Sequence, residues 1–410
     1  MVLNYIWIGL ILLAVVMGCV QFFAFGETQI FNEILNSTFA GAKNGFEISL
    51  GLTGVLALWM GILNIGQQGG VVGTLSRGVA PFFRRIFPEI PNNHPVYGTM
   101  FMNFAANMLG LDNAATPMGL KAMAELQELN QDKTKASNAM IMFVVLGVSG
   151  LTIIPTTIMA YRAQMGAANP ADVFLPLLIA TYFSTLGGLL ACCAVQKIKI
   201  WDKVVLSVLG VLTTLMILLL VLAQRLPEET LSSVSALIAS TALLATICWF
   251  IIQATRKKVN VYEAFIEGAK DGFKIAIGIV PYLIAILVAV GMFRASGAMG
   301  LLESGLAHIF AMVGINPEMS AAVPTAIMKP LSGSGARGLM IEAMATHGAD
   351  SLVGRLCCIL QGTTDTTFYV LAVYFGSIGI KNTRHAVACC LISDLIGAIA
   401  AFIVAGIFFG

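Results

Sequence analysis

The sequence predicts an all-α polytopic membrane protein with about nine transmembrane helices, two short re-entrant or broken helices and two inverted-topology repeats. Hydrophobic residues make up 58% of the 410 residues and charged residues only 11%. Soluble domains contain about 45–50% apolar and about 25% charged residues, so a soluble protein of this composition could not cover its surface. The net charge is only +2, whereas a nucleic-acid-binding protein typically carries a strongly basic surface. We therefore expect the lipid bilayer, and no nucleic acid, as a partner.

Nine segments are apolar and long enough to cross a bilayer, which takes about 20 helical residues. They are residues 3–24, 46–65, 138–160, 173–195, 203–223, 232–253, 273–293, 353–376 and 385–409. Two further apolar stretches, 97–111 and 319–331, are short and interrupted by asparagine, lysine or proline. Such stretches are typical of re-entrant or broken helices rather than full spans.

The lysine and arginine residues predict an N-terminus in the cytoplasm of an inner (cytoplasmic) membrane. The short loops agree with one another, because the basic loops 197–199 and 256–258 then lie inside and the acidic turn 225–229 lies outside. The first apolar run, 3–25, is too long for a signal-peptide core and has no basic flank. It is therefore predicted to be an uncleaved span.

The chain also contains an internal repeat. Residues 41–46 (GAKNGF) recur as 268–273 (GAKDGF), and each copy leads into a span. Residues 1–200 are predicted to form the first repeat, and residues 201–410 the second with an extra linking helix at about 203–223. Five crossings separate the equivalent spans, and an odd number inverts the second copy. Inverted repeats with broken helices near the midplane are a recurrent plan of transporters.

The first polar cluster follows the short segment of the first half. Asn103 and Asn107 are four residues apart and share one helix face. Asp112, Asn113 and Thr116 come where the next helix should begin, with Thr116 predicted as its N-cap before a proline. These residues are predicted to line a solute site at a helix break. Capping of a tight hairpin is the alternative.

The second polar cluster occupies the matching place in the second half. Lys329, Ser332, Ser334 and Arg337 lie in a glycine-rich run that contains the pattern GxGxxG, but no strand precedes it. A Gly/Ser turn that enters a helix exposes N–H groups, which favour an anion. The cluster is predicted to neutralise a ligand. Alternatively, both basic side chains reach the lipid headgroups or pair with Glu342.

The third polar cluster lies within a predicted span and includes Gln361, Thr364 and Asp365. Threonines can bond to their own helix backbone, but a carboxylate inside a membrane needs a partner, a proton or a cation. A basic residue of the second cluster is its natural partner. The matching residues 147–152 carry no charge, and Asp394 in the last span is a lesser candidate of the same kind.

Signals of catalysis and metal binding are weak in this sequence. It contains no GxSxG and no HExxH motif, its four histidines are scattered, and its eight cysteines lie in apolar runs without CxxC spacing. No catalytic residue, no metal ligand and no enzyme activity are therefore predicted. No cofactor is expected, apart from a coupling H⁺ or Na⁺ at Asp365.

These motifs resemble a known family. Residues 107–123 are similar to spore maturation protein A, and residues 329–338 and 365–376 to spore maturation protein B, so the chain resembles a fusion of the two. Both share the Gate, or nucleoside-recognition, domain with concentrative nucleoside transporters and the membrane part of ferrous-iron transporter B. The resemblance implies a transporter-like protein of the cytoplasmic membrane. In spore formers the family is linked to dehydration of the spore core.

The predicted function is that of an inner-membrane permease-like protein. It would bind, and translocate, a small polar or anionic solute, with a nucleoside-like solute as a candidate, at the interface of two inverted repeats. The first cluster would form one wall, and the second and third clusters the other. The alternative is a non-transporting scaffold or sensor in an envelope or spore-maturation process. A homo-oligomer is compatible with either function.

Overall fold

The structure is a computed structural model that describes residues 2–91, 94–108, 112–153, 155–198, 201–225 and 228–410. Every regular element in these residues is helical, and the bridge they contain, between Lys135 and Asn382, is isolated. The predicted all-α class is confirmed. Eight helical segments in the described part of the chain are apolar and long enough to cross a membrane, so the protein is a multi-pass membrane protein.

The helices fall into two similar series joined by one linking helix. The first half contains α1 (Val2–Phe25), α2 (Ile30–Gln68), α3 (Val71–Ile86), α4 (Val96–Met108), α5 (Asp112–Leu129), α6 (Asn138–Ser149), α7 (Thr156–Gln164) and α8 (Phe174–Gln196). The linking helix is α9 (Lys203–Ala223). The second half contains α10 (Glu228–Arg256), α11 (Val261–Ala295), α12 (Ala298–Val313), a 3-10 helix (Pro317–Ala322), α13 (Val323–Leu331), α14 (Gly333–His347), α15 (Leu352–Thr363), α16 (Thr367–Ser377) and α17 (Ala386–Phe409).

The two halves repeat the same order of elements. A long helix (α2 or α11) leads to a shorter helix (α3 or α12), then to a helical hairpin (α4–α5 or α13–α14), a broken helix (α6–α7 or α15–α16) and a closing helix (α8 or α17). An apolar helix, α1 or α10, also precedes each long helix by four residues, so α9 is the single helix that links the two series. The division of the chain at residue 200 stays a prediction.

Glycines let the two long helices pack closely. Gly41, near the start of α2, lies against Leu287 near the end of α11, where an added Cβ would come within 3.0 Å of the Leu287 carbonyl oxygen. Gly268, near the start of α11, lies against the carbonyl of Met60 near the end of α2. Both glycines belong to the repeated GAK(N/D)GF motif. The helices α2 and α11 are therefore antiparallel.

The closing helices α8 and α17 pair in the same sense. Ser184 Oγ donates to the carbonyl of Ser393 at 3.1 Å. Gln196, at the end of α8, lies 3.1 Å from His385, the residue before α17. Equivalent helices of the two halves thus run in opposite directions, which confirms the inversion that the odd number of crossings predicts.

Two predicted spans are not continuous helices. Residues 138–160 form α6 and α7, because Gly150 adopts a left-handed φ of +31° and Pro155 precedes α7. Residues 353–376 also divide at 364–366, although Leu352–Ser377 as a whole is apolar and long enough to cross. Both segments are apolar, so hydrophobicity alone does not predict the break in either of them. The other seven predicted spans are confirmed as long apolar helices.

The two short interrupted stretches belong to helical hairpins. In the first, Asn103 of α4 donates to the carbonyl of Ala115 in α5 at 2.7 Å. In the second, Ser332 is extended between α13 and α14. The predicted N-cap at Thr116 is wrong, because α5 begins at Asp112. The following residue, Pro117, is accommodated inside the helix, where it removes one backbone hydrogen bond.

Candidate functional site

A cavity of about 140 Å³, here called the polar cavity, lies where the hairpins and the broken helices change direction. Its lining from the first half consists of Asn107, Gly147, Gly150, Thr152, Pro155, Thr156, Thr157 and Ile158. Its lining from the second half consists of Lys329, Gly333, Arg337, Gln361, Gly362, Thr364, Asp365 and Thr366. Each half therefore contributes one hairpin and one helix break to the same cavity.

Six of the residues predicted from the sequence meet at this cavity. They are Asn107, Lys329, Arg337, Gln361, Thr364 and Asp365. Lys329 and Thr364 are each 8% exposed and Gln361 is 6% exposed, whereas Asp365 is exposed to the cavity opening. The structure thus brings together the two basic residues of the second cluster, the third cluster and one asparagine of the first.

The other predicted residues whose side chains the structure describes do not line the polar cavity. Ser332 caps α14 by accepting from the amide of Gly335 at 3.0 Å, and its hydroxyl lies 3.3 Å from that of Ser334. Asn103 is fully buried in the first hairpin and also donates to the hydroxyl of Tyr374 at 3.2 Å. Thr116 lies in α5. The side chains of Asp112 and Asn113 lie outside the described residues.

The two helix breaks bond directly to each other. The amide of Asp365 donates to the carbonyl of Val148 in the last turn of α6 at 2.7 Å. The carboxylate of Asp365 accepts from the amide of Thr366 at 2.6 Å. Carbonyls in the last turn of a helix have no partner within it. Each break therefore supplies backbone groups that the other break satisfies.

Each break is also bonded to the hairpin of its own half. The amide of Ile153 donates to the carbonyl of Met108 at the end of α4, at 3.0 Å. The side-chain amide of Gln361 donates to the carbonyl of Gly333 at the start of α14, at 3.3 Å. The four irregular segments thus form one connected unit around the cavity.

Helix N-termini and helix C-termini both end at the polar cavity, and the C-termini are those of α6 at Gly150 and α15 at Thr364. The N-termini of α7, α14 and α16 end at it through Thr156, Gly333 and Thr366. Helix N-termini carry partial positive charge and free N–H groups, which favour an anion. Lys329 adds positive charge, and so does Arg337, whose guanidinium lies 5.7 Å from the centre of the Tyr161 ring. The site can therefore bind an anionic or strongly polar group.

Gln361 supplies a second sign of a ligand. Its side-chain oxygen is buried at the cavity wall and has no hydrogen-bond partner among the described residues. Buried polar groups in folded proteins are almost always hydrogen-bonded, to protein, water or ligand. A bound molecule with a hydrogen-bond donor would satisfy this oxygen.

Asp394 of α17 has a more buried environment than Asp365. It is 9% exposed, and its carboxylate accepts from the hydroxyl of Thr367 at 2.6 Å. It shares with Lys329 and Thr364 a small cavity of about 10 Å³, roughly the volume that holds one water molecule. The position of this lesser candidate suits a proton or a small cation beside the polar cavity.

A network of buried charges, which sequence reasoning missed, joins the halves at one end of the broken helices. Arg162 at the end of α7 lies 2.8 Å from Asp172 and 3.0 Å from Asp350. Arg355 of α15 lies 2.9 Å from Asp172. The side chains of Arg162 and Asp172 are fully buried. We call these four residues the charged closure.

The opposite end of the broken helices is joined through backbone. The amide of Ala136, before α6, donates to the carbonyl of Asn382 at 2.9 Å, and the amide of Lys381 donates to the carbonyl of Thr134 at 3.2 Å. Arg384 donates to the carbonyl of Ala136 at 3.0 Å. We call this pairing of residues 134–136 with 381–384 the backbone closure. The polar cavity lies between the two closures, at the breaks of both helices.

Metal binding has no evident site in the part of the chain that the structure describes. There, no group of three or more histidine, cysteine, aspartate and glutamate side chains is arranged to hold a metal ion. The neighbourhood of Asp394, with one carboxylate and a threonine hydroxyl, is chemically suited to H⁺ or Na⁺ rather than to a transition metal.

Comparisons with known proteins agree with the repeat. The sequence profile of the Gate family, described as nucleoside recognition, matches residues 49–168 and 276–381. Spore maturation protein B of Bacillus subtilis (strain 168) is 44% identical over 164 residues, 40% of this chain and 90% of that protein. Spore maturation protein A of the same organism is 39% identical over 187 residues, 46% of this chain and 92% of that protein. No solved structure matches the chain.

Proposed function

This chain belongs to the Gate family, described as nucleoside recognition, and on that premise we propose that it is a permease-like protein of the cytoplasmic membrane. It binds a small polar or anionic solute in the polar cavity and carries it across the membrane, with nucleoside-like solutes as the first candidates. Its N-terminus lies on the cytoplasmic side, in agreement with the basic short loops.

The convergence of three helix N-termini and two basic side chains on one cavity carries this proposal. Lys329 and Arg337 neutralise the charge of the solute, and the helix N-terminus at Gly333 orients it. Gln361 and Asn107 offer amide groups to hydroxyl or base-like groups of the solute. Broken helices whose N-termini point at an anionic substrate are a recurrent feature of transporters.

The two closures supply a route for alternating access. Both broken helices run from one closure to the other, with the polar cavity at their breaks. Opening the charged closure alone exposes the cavity to one side of the membrane, and opening the backbone closure alone exposes it to the other. Rocking of inverted repeats around a fixed site is the usual form of this cycle.

Coupling to an ion would take place beside the solute. Asp394 shares a small cavity with Lys329, and Asp365 lies on the far side of the same helix break. A proton or Na⁺ at either carboxylate changes the charge that Lys329 experiences, and with it the affinity for an anion. Solute binding should therefore depend on pH or on Na⁺, and this dependence should change in Asp394→Asn or Asp365→Asn.

A thermal-shift panel on the purified protein tests the binding step. The panel contains nucleosides, nucleoside monophosphates, inorganic phosphate, sulfate and small carboxylates, with pH and Na⁺ varied. A ligand at 100 times its Kd stabilises the folded state by about 2.7 kcal/mol. We expect a stabilising ligand whose effect is lost in Arg337→Gln and kept in the matched control Arg256→Gln, which lies exposed at the end of α10.

Flux into sealed proteoliposomes then separates transport from sensing. Uptake of the stabilising ligand by the native protein, with none by Arg337→Gln, supports a permease. Binding without uptake would instead support the scaffold or sensor. A panel in which every ligand leaves the unfolding temperature unchanged would contradict the solute site itself.

A further inference from the structure

A second, larger cavity adjoins the polar cavity. It has a volume of about 390 Å³ and lies between α3, α4, α6, α8 and α9. Asn107 and Gly150 line both cavities, so the two spaces meet at the first hairpin and the first helix break. We call it the apolar cavity, because its walls are formed mainly by phenylalanine, leucine and valine side chains.

Apart from Asn107, which also lines the polar cavity, the polar side chains in the walls of the apolar cavity are bonded to protein. The hydroxyl of Tyr182 donates to the carbonyl of Leu209 at 3.2 Å, and that of Thr185 donates to the carbonyl of Ser149 at 3.1 Å. These groups have no need of a ligand, in contrast to Gln361 in the polar cavity. The remaining surface is suited to hydrocarbon rather than to a sugar or a base.

Size also indicates that one ligand occupies both spaces. Small-molecule sites commonly measure about 300–1,000 Å³. The polar cavity alone, at about 140 Å³, falls below this range, whereas the apolar cavity, at about 390 Å³, falls within it. A ligand confined to the charged groups would be small and would leave the larger adjoining space empty.

The apolar cavity lies close to the outer surface of the helix bundle. Helix α9 lines the apolar cavity with Val208, while Val211 on the same helix is 68% exposed on the surface that contacts lipid. At one end of this region, Arg85 at the end of α3 pairs with Asp202 before α9 at 2.8 Å. One helix layer therefore separates the apolar cavity from the hydrocarbon of the membrane.

We propose that the solute is an anionic membrane lipid, with a phosphate head in the polar cavity and one hydrocarbon chain in the apolar cavity. This inference rests on the proposed function, because it assigns a ligand class to the same site. It adds that affinity comes from the chain as well as from Lys329 and Arg337.

A series of phosphates with increasing chain length tests the inference on the native protein in lipid nanodiscs. Inorganic, ethyl, butyl and hexyl phosphate are titrated by calorimetry, with empty nanodiscs as the blank. Each methylene that enters the apolar cavity should raise the affinity about fourfold, equivalent to about 0.8 kcal/mol. This gain depends on no variant, so it can be measured even where a substitution impairs folding.

Two matched pairs of variants locate the two ends of the ligand. Val208→Trp fills the apolar cavity and should abolish the gain with chain length while leaving inorganic phosphate binding unchanged. Val211→Trp makes the same change on the lipid face of α9 and should bind the whole series as the native protein does. Arg337→Gln should weaken every member at least tenfold, whereas Arg256→Gln should weaken none.

The outcomes separate this inference from the proposed function. Equal affinity for inorganic, ethyl, butyl and hexyl phosphate would overturn the lipid assignment and leave the anion site standing. Chain-dependent binding that persists in both Val208→Trp and Arg337→Gln would also overturn it, because such binding would be partition into the bilayer. Absence of binding by every phosphate would contradict the anion site and the lipid together.

Discussion

At one end of the broken helices, two arginines surround the buried Asp172, whereas at the other end two loops exchange backbone hydrogen bonds. Both contacts join the same pair of broken helices, α6–α7 and α15–α16, at opposite ends. The arrangement of helices is repeated with inversion, but the residues at equivalent positions differ in their chemistry. The two halves therefore share their arrangement of helices but differ in where they carry charged residues.

The difference predicts unequal costs of opening the two ends. Removing one partner of a buried charge pair costs about 3–5 kcal/mol, because it leaves a buried charge uncompensated. A backbone hydrogen bond contributes only about 0.5–1.5 kcal/mol net. The backbone closure should therefore open more readily than the charged closure, which needs water or a ligand to solvate its ions.

The largest expected effect is on the charged closure. Arg162→Met removes the fully buried guanidinium that contacts Asp172 and Asp350, and it should lower the free energy of unfolding by about 3–5 kcal/mol. Denaturant unfolding in detergent measures this loss. Arg384→Met at the backbone closure, where one bond to Ala136 is lost, should cost about 1 kcal/mol or less. Equal losses in the two variants would contradict the unequal closures.

A smaller effect should follow from disturbing the inverted helix pair. The added methyl of Gly268→Ala would overlap the carbonyl oxygen of Met60, which is backbone and has little freedom to move away. Overpacking of this kind costs about 1–3 kcal/mol. The control Gly278→Ala, on the same helix with no heavy atom within 4 Å of the new methyl, should keep its unfolding temperature. A stable Gly268→Ala variant would show that α2 and α11 are not in close contact.

The smallest expected effect is a pH dependence at the backbone closure. Hydrogen bonds from the hydroxyl and the amide of Thr134 lower the pKa of Asp132 from 3.8 to about 2. A lowered pKa in the folded state stabilises the protein above the ordinary pKa, and this stabilisation is lost as the pH falls from about 4 to about 2. Unfolding temperatures of the native protein and Asp132→Asn should therefore converge on acidification. A difference in unfolding temperature that stays constant as the pH falls would contradict a stabilising role for the ionised carboxylate of Asp132.

Much of the fold follows from the sequence, because hydrophobicity and repeated motifs are local signals. The apolar runs predict most spans, and the repeated GAK(N/D)GF motif predicts the equivalent helices that pair through Gly41 and Gly268. Gly150 and Pro155 indicate the break at 150–155, but the long apolar run around them favours a continuous span. The break at 364–366 contains neither glycine nor proline and depends on the tertiary bond between Asp365 and Val148.

The candidate site is predicted only where polar residues stand inside apolar segments. Lys329, Arg337 and Asp365 are conspicuous for that reason, and the structure brings them to one cavity. Arg162 and Asp350 are 188 residues apart and lie near span ends, where charged residues are ordinary. Sequence alone gives no sign that they meet. The apolar cavity could not be predicted from the sequence either, because its walls consist mainly of apolar residues that any membrane helix contains.

The most direct measurement is the two-sided accessibility of the polar cavity. Thr157→Cys, in its uncharged wall, is placed in a background where Cys19 and Cys248 are serine, and oriented vesicles are treated from either side with a membrane-impermeant thiol reagent. The cysteine should be labelled from each side in turn and protected by a stabilising anion. Val211→Cys, on the lipid face, should stay unlabelled. Labelling of Thr157→Cys from neither side, or labelling that no anion reduces, would contradict a solute site between two closures.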